Sequence, residues 1–312
     1  MHQSKIEGPP KGSGYLADRP ALAAILGALV IATSAILFRL AEVTPATAAV
    51  FRCFYALPLL LLIARREQRA HGPMDRRVIG LAMIAGLFFS ADLLFWHHAI
   101  EEVGAGLATV LGNTQVIFVP LIAWLVLGER LRPALIWSVA LVMLGVVLIS
   151  GIGGAAYGRN PGLGVIFGAT TGLSYAGFIL VQRSANRDDR RPGGPLLVAT
   201  AAAGLASLCA GWLLGEIDLR LTWPAHGWLL LLGVGVHAGG WLLISIGLPR
   251  LPAAVTSVLL TIQPVASVIL GRLIFAETPS PLQLGGVALV VVGLVVTGRE
   301  RRPISPSGRV AG

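Results

Sequence analysis

The sequence predicts an all-α membrane protein in which ten transmembrane helices form two inverted five-helix repeats. Three observations support this prediction: the composition, the number of membrane-length apolar runs and an internal repeat. Of the 312 residues, 55% are hydrophobic and 12% are charged, against about 25% charged residues in a soluble domain. A soluble fold of this size could not bury so much apolar surface in one core, whereas lipid solvates the outward faces of membrane helices.

Ten apolar runs are long enough to cross a bilayer, which takes about 20 residues of helix. The predicted spans are residues 21–40, 46–64, 78–100, 104–127, 133–151, 161–182, 195–214, 227–247, 252–275 and 281–298. They divide the chain into a first repeat over residues 20–151 and a second over residues 161–298. Residues 1–19 and 299–312 are rich in glycine, proline, serine and charge, and we expect disordered cytoplasmic tails without a cleavable signal peptide.

Lysine and arginine are unequally distributed between alternate loops. If both termini lie in the cytoplasm, 19 basic residues fall inside and 3 fall outside, namely Arg39, Arg159 and Arg220. This positive-inside pattern supports ten spans in a cell (inner) membrane with both ends inside. The formal net charge of +9 does not indicate a nucleic-acid partner, because the basic residues form no basic helix face and no patch interleaved with aromatics.

An internal repeat relates the two halves. With an offset of 148 residues, residues 104–148 align with residues 252–296 without a gap. The polar and proline matches carry the most weight, because apolar helices share a small residue alphabet. These matches pair Gln115 with Gln263, Glu129 with Glu277 and Pro133 with Pro281.

The repeat is predicted to be inverted, because a unit of five helices leaves the membrane on the side opposite to its entry. The loops agree, since Arg130 and Arg132 follow the fourth span, whereas the matching loop at residues 277–280 has no basic residue. Inverted repeats are the architecture of many secondary transporters, whose substrate site lies near the midplane between the repeats.

Several segments resemble the EamA family of the drug/metabolite transporter superfamily. The second span reads TPATAAVFRCFYALPLLL, with a proline and then a membrane-embedded arginine, Arg52. The fourth span closes with Gly128-Glu129, and the ninth contains Gln263-Pro264 and closes with Ala276-Glu277. The resemblance covers nearly all of residues 20–298. It implies ten helices, a cavity open to one side at a time, and export or exchange of small metabolites, amino acids being a frequent substrate class.

Asp92 is the only acidic residue well inside a predicted span. A buried carboxyl at this depth is costly unless it faces protein or water, so Asp92 is a candidate for proton coupling or for binding a substrate amine. Trp96 lies one helical turn further on the same face, and His97 and His98 follow. The alternative interpretations are a carboxyl satisfied by a neighbouring helix and an interfacial aromatic belt.

Four polar residues lie near the middle of the fourth and ninth spans. Asn113 and Gln115 in the first repeat match Thr261 and Gln263 in the second. Two symmetry-related polar pairs at the midplane are what a central substrate site requires. The alternative is hydrogen bonding between helices that contributes to packing only.

Further substrate-site candidates lie in the sixth and eighth spans. His237 and Trp241 share one face of a helix, and an imidazole there could carry protons. Ser174 and Tyr175 could line the same cavity. Each of these residues could instead be an ordinary packing group.

A third group is predicted to serve structure or gating. Arg52 could bind an anionic substrate or snorkel toward the interface. Glu129 and Glu277 lie at matched helix ends and could cap a loop or form a gate pair. Pro120 and Pro264 free backbone carbonyls and permit bending.

These observations favour a secondary transporter over two alternatives. No P-loop is present, so ATP is not the direct energy source. An uncoupled facilitator, or a drug, nucleobase or sugar permease, could use the same fold. An integral membrane enzyme is disfavoured because paired catalytic carboxylates and an HExxH motif are absent from the sequence. Cys53 and Cys209 lack metal-ligand spacing, so no metal or cofactor is expected. The expected partners are a small solute and the bilayer. Two self-contained halves are compatible with a monomer.

Overall fold

The computed structural model describes residues 19–127, 133–149, 157–186, 190–247, 260 and 262–299. In this part of the chain the regular structure is helical and contains no strand. The helices are α1 (Pro20–Ala32), α2 (Ser34–Ala41), α3 (Pro45–His71), α4 (Arg76–Gly112), α5 (Gln115–Leu127), α6 (Pro133–Ile149), α7 (Pro161–Ala185), α8 (Gly193–Leu214), α9 (Ala225–Leu230), a π-helical segment (Leu231–Gly240), α10 (Trp241–Gly247), α11 (Ile262–Phe275) and α12 (Pro281–Arg299).

Six helical stretches in the described part are long and apolar enough to cross a membrane. They are Pro20–Ala41, Pro45–His71, Arg76–Gly112, Pro161–Ala185, Gly193–Leu214 and Ala225–Ile246. Val139–Ile149, Ile262–Phe275 and Pro281–Gly293 are shorter apolar helices. Large apolar side chains such as Leu87, Trp137 and Leu205 point outward and are exposed, which suits a surface solvated by lipid.

The chain reverses direction within α4 at Gly104. This residue has φ 82° and ψ 169°, which interrupts the helix. A Cβ atom placed on Gly112 would lie 3.6 Å from Cδ1 of Trp96. A continuous helix would separate these positions by about 24 Å, at 1.5 Å per residue. Residues 76–103 and 105–112 are therefore two antiparallel arms, and we refer to them as the first and second arms of α4.

Three other breaks occur within predicted spans. Thr33 separates α1 from α2, and its hydroxyl donates to the carbonyl of Val30. Asn113 and Thr114 separate α4 from α5, and the amide of Asn113 turns back to the carbonyl of Thr109. The eighth predicted span is π-helical over Leu231–Gly240. Breaks of this kind are common where a membrane helix contributes polar groups to a site.

Small residues set the distances between neighbouring helices. Gly86 in the first arm of α4 lies against the backbone of Ala199 and Ala203 in α8. Gly145 of α6 and Gly286 of α12 approach each other, so that a Cβ on either would lie 2.6 Å from the other's carbonyl oxygen. Such close contacts replace the hydrophobic effect, which does not drive association between helices in lipid.

Replacement of Gly104 by alanine is expected to destabilise the protein more than the same change at Gly72. Both residues occupy a region of positive φ and extended ψ that is nearly restricted to glycine, so each substitution costs about 1–3 kcal/mol in backbone strain. A Cβ on Gly104 would also lie 2.7 Å from Oε1 of Glu277, whereas one on Gly72 would meet nothing within 4 Å. Thermal unfolding of the two purified variants measures the difference, and equal losses of stability would contradict this account.

Candidate functional site

A small cavity of about 60 Å³ lies in the middle of the helix assembly. Its walls come from α1, α2, α3, both arms of α4, α7, α10 and α11. The lining residues are Ile31, Ser34, Arg52, Phe89, Asp92, Leu93, Trp96, Thr109, Gly112, Asn113, Thr171, Tyr175, Trp241 and Gln263. We call this space the central cavity.

Many of the residues predicted from the sequence meet in the central cavity. Asp92, Trp96, Asn113, Tyr175, Trp241 and Gln263 all line it, and so does Arg52. They come from both halves of the chain. Among the described lining residues Asp92 is the only carboxylate, and no ion pair or hydrogen bond joins it to another described residue.

Arg52 is buried among neutral partners. Its Nε donates to Nδ1 of His237 at 3.2 Å, and its Nη2 donates to Oγ of Ser34 at 3.5 Å. The guanidinium carbon lies 5.8 Å from the ring centroid of Trp96, within the range of a cation–π interaction. Its Nη1 has no hydrogen-bond partner among the described residues.

His237 lies behind Arg52 and does not line the central cavity. Because Nδ1 accepts from Arg52, the ring proton sits on Nε2, which donates to Oγ1 of Thr200 at 3.0 Å. Both His237 and Thr200 are fully buried. The imidazole is therefore neutral here and orients the arginine.

An aromatic group forms one wall of the cavity and the layer behind it. Trp241 packs edge-on against Tyr175, Phe178 and Phe89, with ring centroids 5.9, 5.1 and 5.8 Å away. Phe89 stacks on Phe178 at 4.4 Å. These contacts fix the ring of Trp241, whose Nε1 is buried and unpartnered among the described residues.

Four other candidates lie away from the central cavity. His97 is buried, donates from Nδ1 to the carbonyl of Pro45 at 3.1 Å, and stacks on Phe38. His98 lies further along α4, between Glu101 and Glu216. Gln115 and Ser174 are buried in α5 and α7 but are not lining residues.

Of the remaining candidates, two are prolines within helices and two lie outside the described residues. Pro264 is buried in the first turn of α11, and Pro120 lies within α5. Thr261 and Glu129 lie outside the described residues. In the described part of the chain, no group of three His, Cys, Asp or Glu side chains is arranged to hold a metal ion.

Sequence reasoning missed three polar lining residues, Ser34, Thr109 and Thr171. Single serine and threonine residues are frequent in membrane helices, where they hydrogen-bond to the backbone of their own helix, as Thr109 does to the carbonyl of Ala105. Hydroxyls of this kind carry little signal. For Ser34, the break after Thr33 is the feature that could have drawn attention to it.

Glu277 closes one end of the molecule. Its Oε1 accepts from Nη1 of Arg39 at 2.5 Å and from the backbone N–H of Ala105 at 2.7 Å, and its Oε2 accepts from the N–H of Gly106 at 3.2 Å. Arg39 also lies 4.0 Å above the ring of Phe275. One carboxylate thus joins α2, the second arm of α4 and the end of α11, and it caps the helix that begins after Gly104.

Two larger pockets open at the same end, which we call the Glu277 end. One, of about 600 Å³, is lined in part by Arg39, Glu101, Glu102 and Arg159, and Glu102 is paired with Arg159. The other, of about 330 Å³, includes Asp218, Arg220 and His226. Arg220 holds the pKa of the exposed Asp218 carboxyl at about 2, mainly through their hydrogen bonds.

At the opposite end, Glu67 of α3 accepts from the N–H groups of Gly193 and Gly194, each at 2.8 Å. Arg191 donates to the carbonyls of His71, Gly72 and Pro73. These contacts join α3 to the start of α8. We call this the Glu67 end.

Comparison with known proteins identifies the family. The model of the EamA-like transporter family matches residues 19–151 and again residues 162–299. The chain belongs to the EamA-like transporter family. It is a transporter-family protein with several membrane-spanning helices.

Individual relatives of this EamA-family chain are distant but extend over most of its length. An uncharacterized transporter of Synechocystis is 27% identical over 82% of this chain and 79% of its own. An uncharacterized transporter of Archaeoglobus fulgidus is 25% identical over 89% and 96%. The pseudopaline exporter CntI of Pseudomonas aeruginosa is 25% identical over 78% and 83%.

The fold is shared with solved structures, among them a crystal structure of a protein. It superposes with a TM-score of 0.62 at 20% sequence identity, over 89% of this chain and 98% of the other. An identity this low shows the fold alone.

Proposed function

We propose that this EamA-family protein is a secondary transporter that exports or exchanges small metabolites, amino acids or related compounds, by alternating access. The observation that carries this proposal is the central cavity, which is lined by polar and aromatic residues of both halves of the chain. Polar groups at bilayer depth are costly and are retained mainly for function. The relatives named as transporters support the class, and the one named as an exporter supports the direction.

The proposed architecture is ten spans in two inverted repeats, with both termini on the cytoplasmic side of the inner membrane. The pattern of helix packing supports the repeat. The first helix of the second half, α7, packs against both arms of α4 in the first half. The first helix of the first half, α1, packs against α10 and α11 in the second half, which correspond to the two arms of α4 in the proposed repeat. The Glu277 end carries Arg39, Arg159 and Arg220, the three basic residues that the charge distribution places outside.

Closure at the Glu277 end fits one stage of an alternating-access cycle. The Glu277 carboxylate joins three helices beside the pocket of about 600 Å³, which its neighbours Arg39 and Gly104 line. Opening toward the outside would require the bonds to Arg39, Ala105 and Gly106 to exchange for water. We propose that Asp92 carries a coupling proton, because it is the only carboxyl that lines the central cavity in the described part of the chain.

Counterflow in proteoliposomes tests the transport function. We expect labelled amino acids to exchange saturably across liposomes that contain the purified protein, above an empty-liposome control. Gln263→Ala removes a cavity-lining amide and is expected to lower the exchange at least about tenfold. Gln182→Ala, at a buried glutamine that does not line the cavity, is the matched control and should retain exchange.

An exchange that does not saturate would favour a channel-like facilitator. Absence of exchange with every amino acid would remove that substrate class and move the screen to nucleobases, sugars and cationic drugs. Equal loss in both glutamine variants would indicate general destabilisation and would contradict a substrate site at Gln263.

A further inference from the structure

We propose that the central cavity contains an anion-binding subsite in which Arg52, Trp241 and Gln263 bind the carboxylate group of the transported solute. This inference rests on the proposed transport function and deepens it, because it restricts the solutes to those that carry a carboxylate.

Four buried polar atoms of cavity-lining residues have no hydrogen-bond partner among the described residues: Nη1 of Arg52, Nε1 of Trp241, Nε2 of Gln263 and Oγ1 of Thr171. The three nitrogens are N–H donors, whereas the threonine hydroxyl can also accept. Arg52, Trp241 and Gln263 are 3%, 6% and 4% exposed, and each lines the central cavity from a different helix. An unsatisfied buried donor costs about 1–3 kcal/mol, so three of them in one small space indicate a missing acceptor.

A carboxylate matches this set of donors. It accepts up to about four hydrogen bonds on two oxygens, and a guanidinium binds it more strongly than it binds a neutral acceptor. Arg52 and Trp241 can only donate hydrogen bonds, so neither side chain can act as a ligand to a cation.

The surroundings of Arg52 leave its charge without a bound counter-ion. Its hydrogen-bond partners, His237 and Ser34, are neutral acceptors, and no ion pair with Asp92 is formed among the described residues. A buried cation without a partner is strongly disfavoured. An anion in the cavity would neutralise it, while Asp92 in the same cavity favours a solute that also carries an amino group.

The size of the cavity sets what can enter in this closed state. About 60 Å³ holds a few water-sized groups, because one water needs about 10–15 Å³ of such space. A carboxylate group fits this space, and a larger solute requires the cavity to open further. Chloride is also an anion that accepts hydrogen bonds, and it is the alternative occupant of the subsite.

His237 and Thr200 are the positioning residues of this subsite. They hold Nε of Arg52 so that Nη1 is the donor left unpaired. Asparagine at position 237 can keep an acceptor near the place of Nδ1, whereas glutamine reaches the place of Nε2. We therefore expect His237→Asn to bind the anion within about threefold of the wild type and His237→Gln to bind it at least about tenfold more weakly.

The test is a titration of the purified full-length protein in nanodiscs, in a buffer of low ionic strength with sucrose. Sodium acetate and sodium chloride are added separately, and tryptophan emission and the thermal midpoint are recorded, because Trp96 and Trp241 line the cavity. A saturable response to acetate alone supports a carboxylate subsite. A saturable response to both, each competing with the other, supports a small-anion subsite that chloride occupies between transport events.

Gln263→Glu is the decisive variant, because it places a carboxylate of the protein where the proposed ligand binds. We expect acetate affinity to fall at least about tenfold, while the matched change Gln182→Glu leaves it unchanged. Asp92→Asn should tighten acetate binding, since it removes a carboxylate that lines the cavity. If Gln263→Glu does not fold, the difference in acetate affinity between His237→Asn and His237→Gln tests the same subsite.

Absence of a saturable response in the wild type would overturn the proposal, as would equal acetate affinity in Gln263→Glu. The outcomes also separate the subsite from the transport function. If alanine and alaninamide inhibit counterflow equally, the carboxylate of the solute does not contribute to binding. That result would support the transport function and contradict the anion-binding subsite. Saturable acetate binding without counterflow of any solute would leave the subsite standing and contradict transport.

Discussion

Glu277→Ala is expected to produce the largest loss of stability of any single substitution considered for this protein. The substitution leaves Arg39 without its partner and leaves the N–H groups of Ala105 and Gly106 unsatisfied in a buried position. Breaking a buried, hydrogen-bonded ion pair costs about 3–5 kcal/mol. The side chains of Arg39 and Glu277 are 30% and 2% exposed, so the pair is only partly screened by solvent. The loss can be measured as the shift in thermal or denaturant midpoint in detergent.

Glu102→Ala provides the matched control at the same end of the molecule. Glu102 is also buried, but its partner Arg159 has a side chain that is 70% exposed. An arginine left in water has little need of a partner, and pairs with an exposed member contribute about 0–1 kcal/mol. Equal shifts for the two variants would show that Glu277 does not link the helices in the way its bonds indicate.

Asp92→Asn is expected to abolish the response of transport to a pH gradient. The substitution keeps the size of the side chain but removes the one carboxyl that the described residues contribute to the central cavity. An amide cannot bind and release a proton in its place. Uptake driven by an imposed proton gradient should fall at least about tenfold. Counterflow, which needs no net proton movement, should persist. Both are measured in the same proteoliposome preparation.

The control for Asp92 is Glu101→Gln. Glu101 lines the larger pocket at the Glu277 end and is exposed, so its replacement removes a carboxylate without touching the central cavity. We expect its gradient response to equal that of the wild type. A full gradient response in Asp92→Asn would assign coupling to another group or show that transport is uncoupled.

The sequence predicted part of the set of polar residues that meet in the central cavity. Asp92, Trp96, Asn113, Tyr175, Trp241 and Gln263 were predicted as substrate-site residues because polar and aromatic groups at bilayer depth need a reason to be there, and all six line the central cavity. Arg52, which was predicted to serve structure or gating, lines it as well. The prediction did not separate them from His97, Gln115, Ser174 and His237, which satisfy the same criterion and lie outside it.

The sequence could not separate the two groups because lipid, unlike water, solvates apolar side chains. In a soluble helix the apolar face points inward, so its periodicity reveals the orientation. In a membrane helix both the lipid-facing and the protein-facing sides are apolar, so the periodicity is weak. The sequence therefore indicates that His237 is deep in the membrane, but not that it lies behind Arg52 rather than beside the cavity.

By itself the sequence determined the helical membrane class of the protein, the six membrane-length helices of the described chain and its membership of a transporter family, because these depend on composition, run length and motifs along the chain. Only the tertiary structure decided which groups meet. Trp96 lies near Gly112 because the chain reverses at Gly104, and Arg52 bonds to His237 across 185 positions of sequence. Contacts of this range depend on how whole helices pack, and small residues distributed over many helices set that packing.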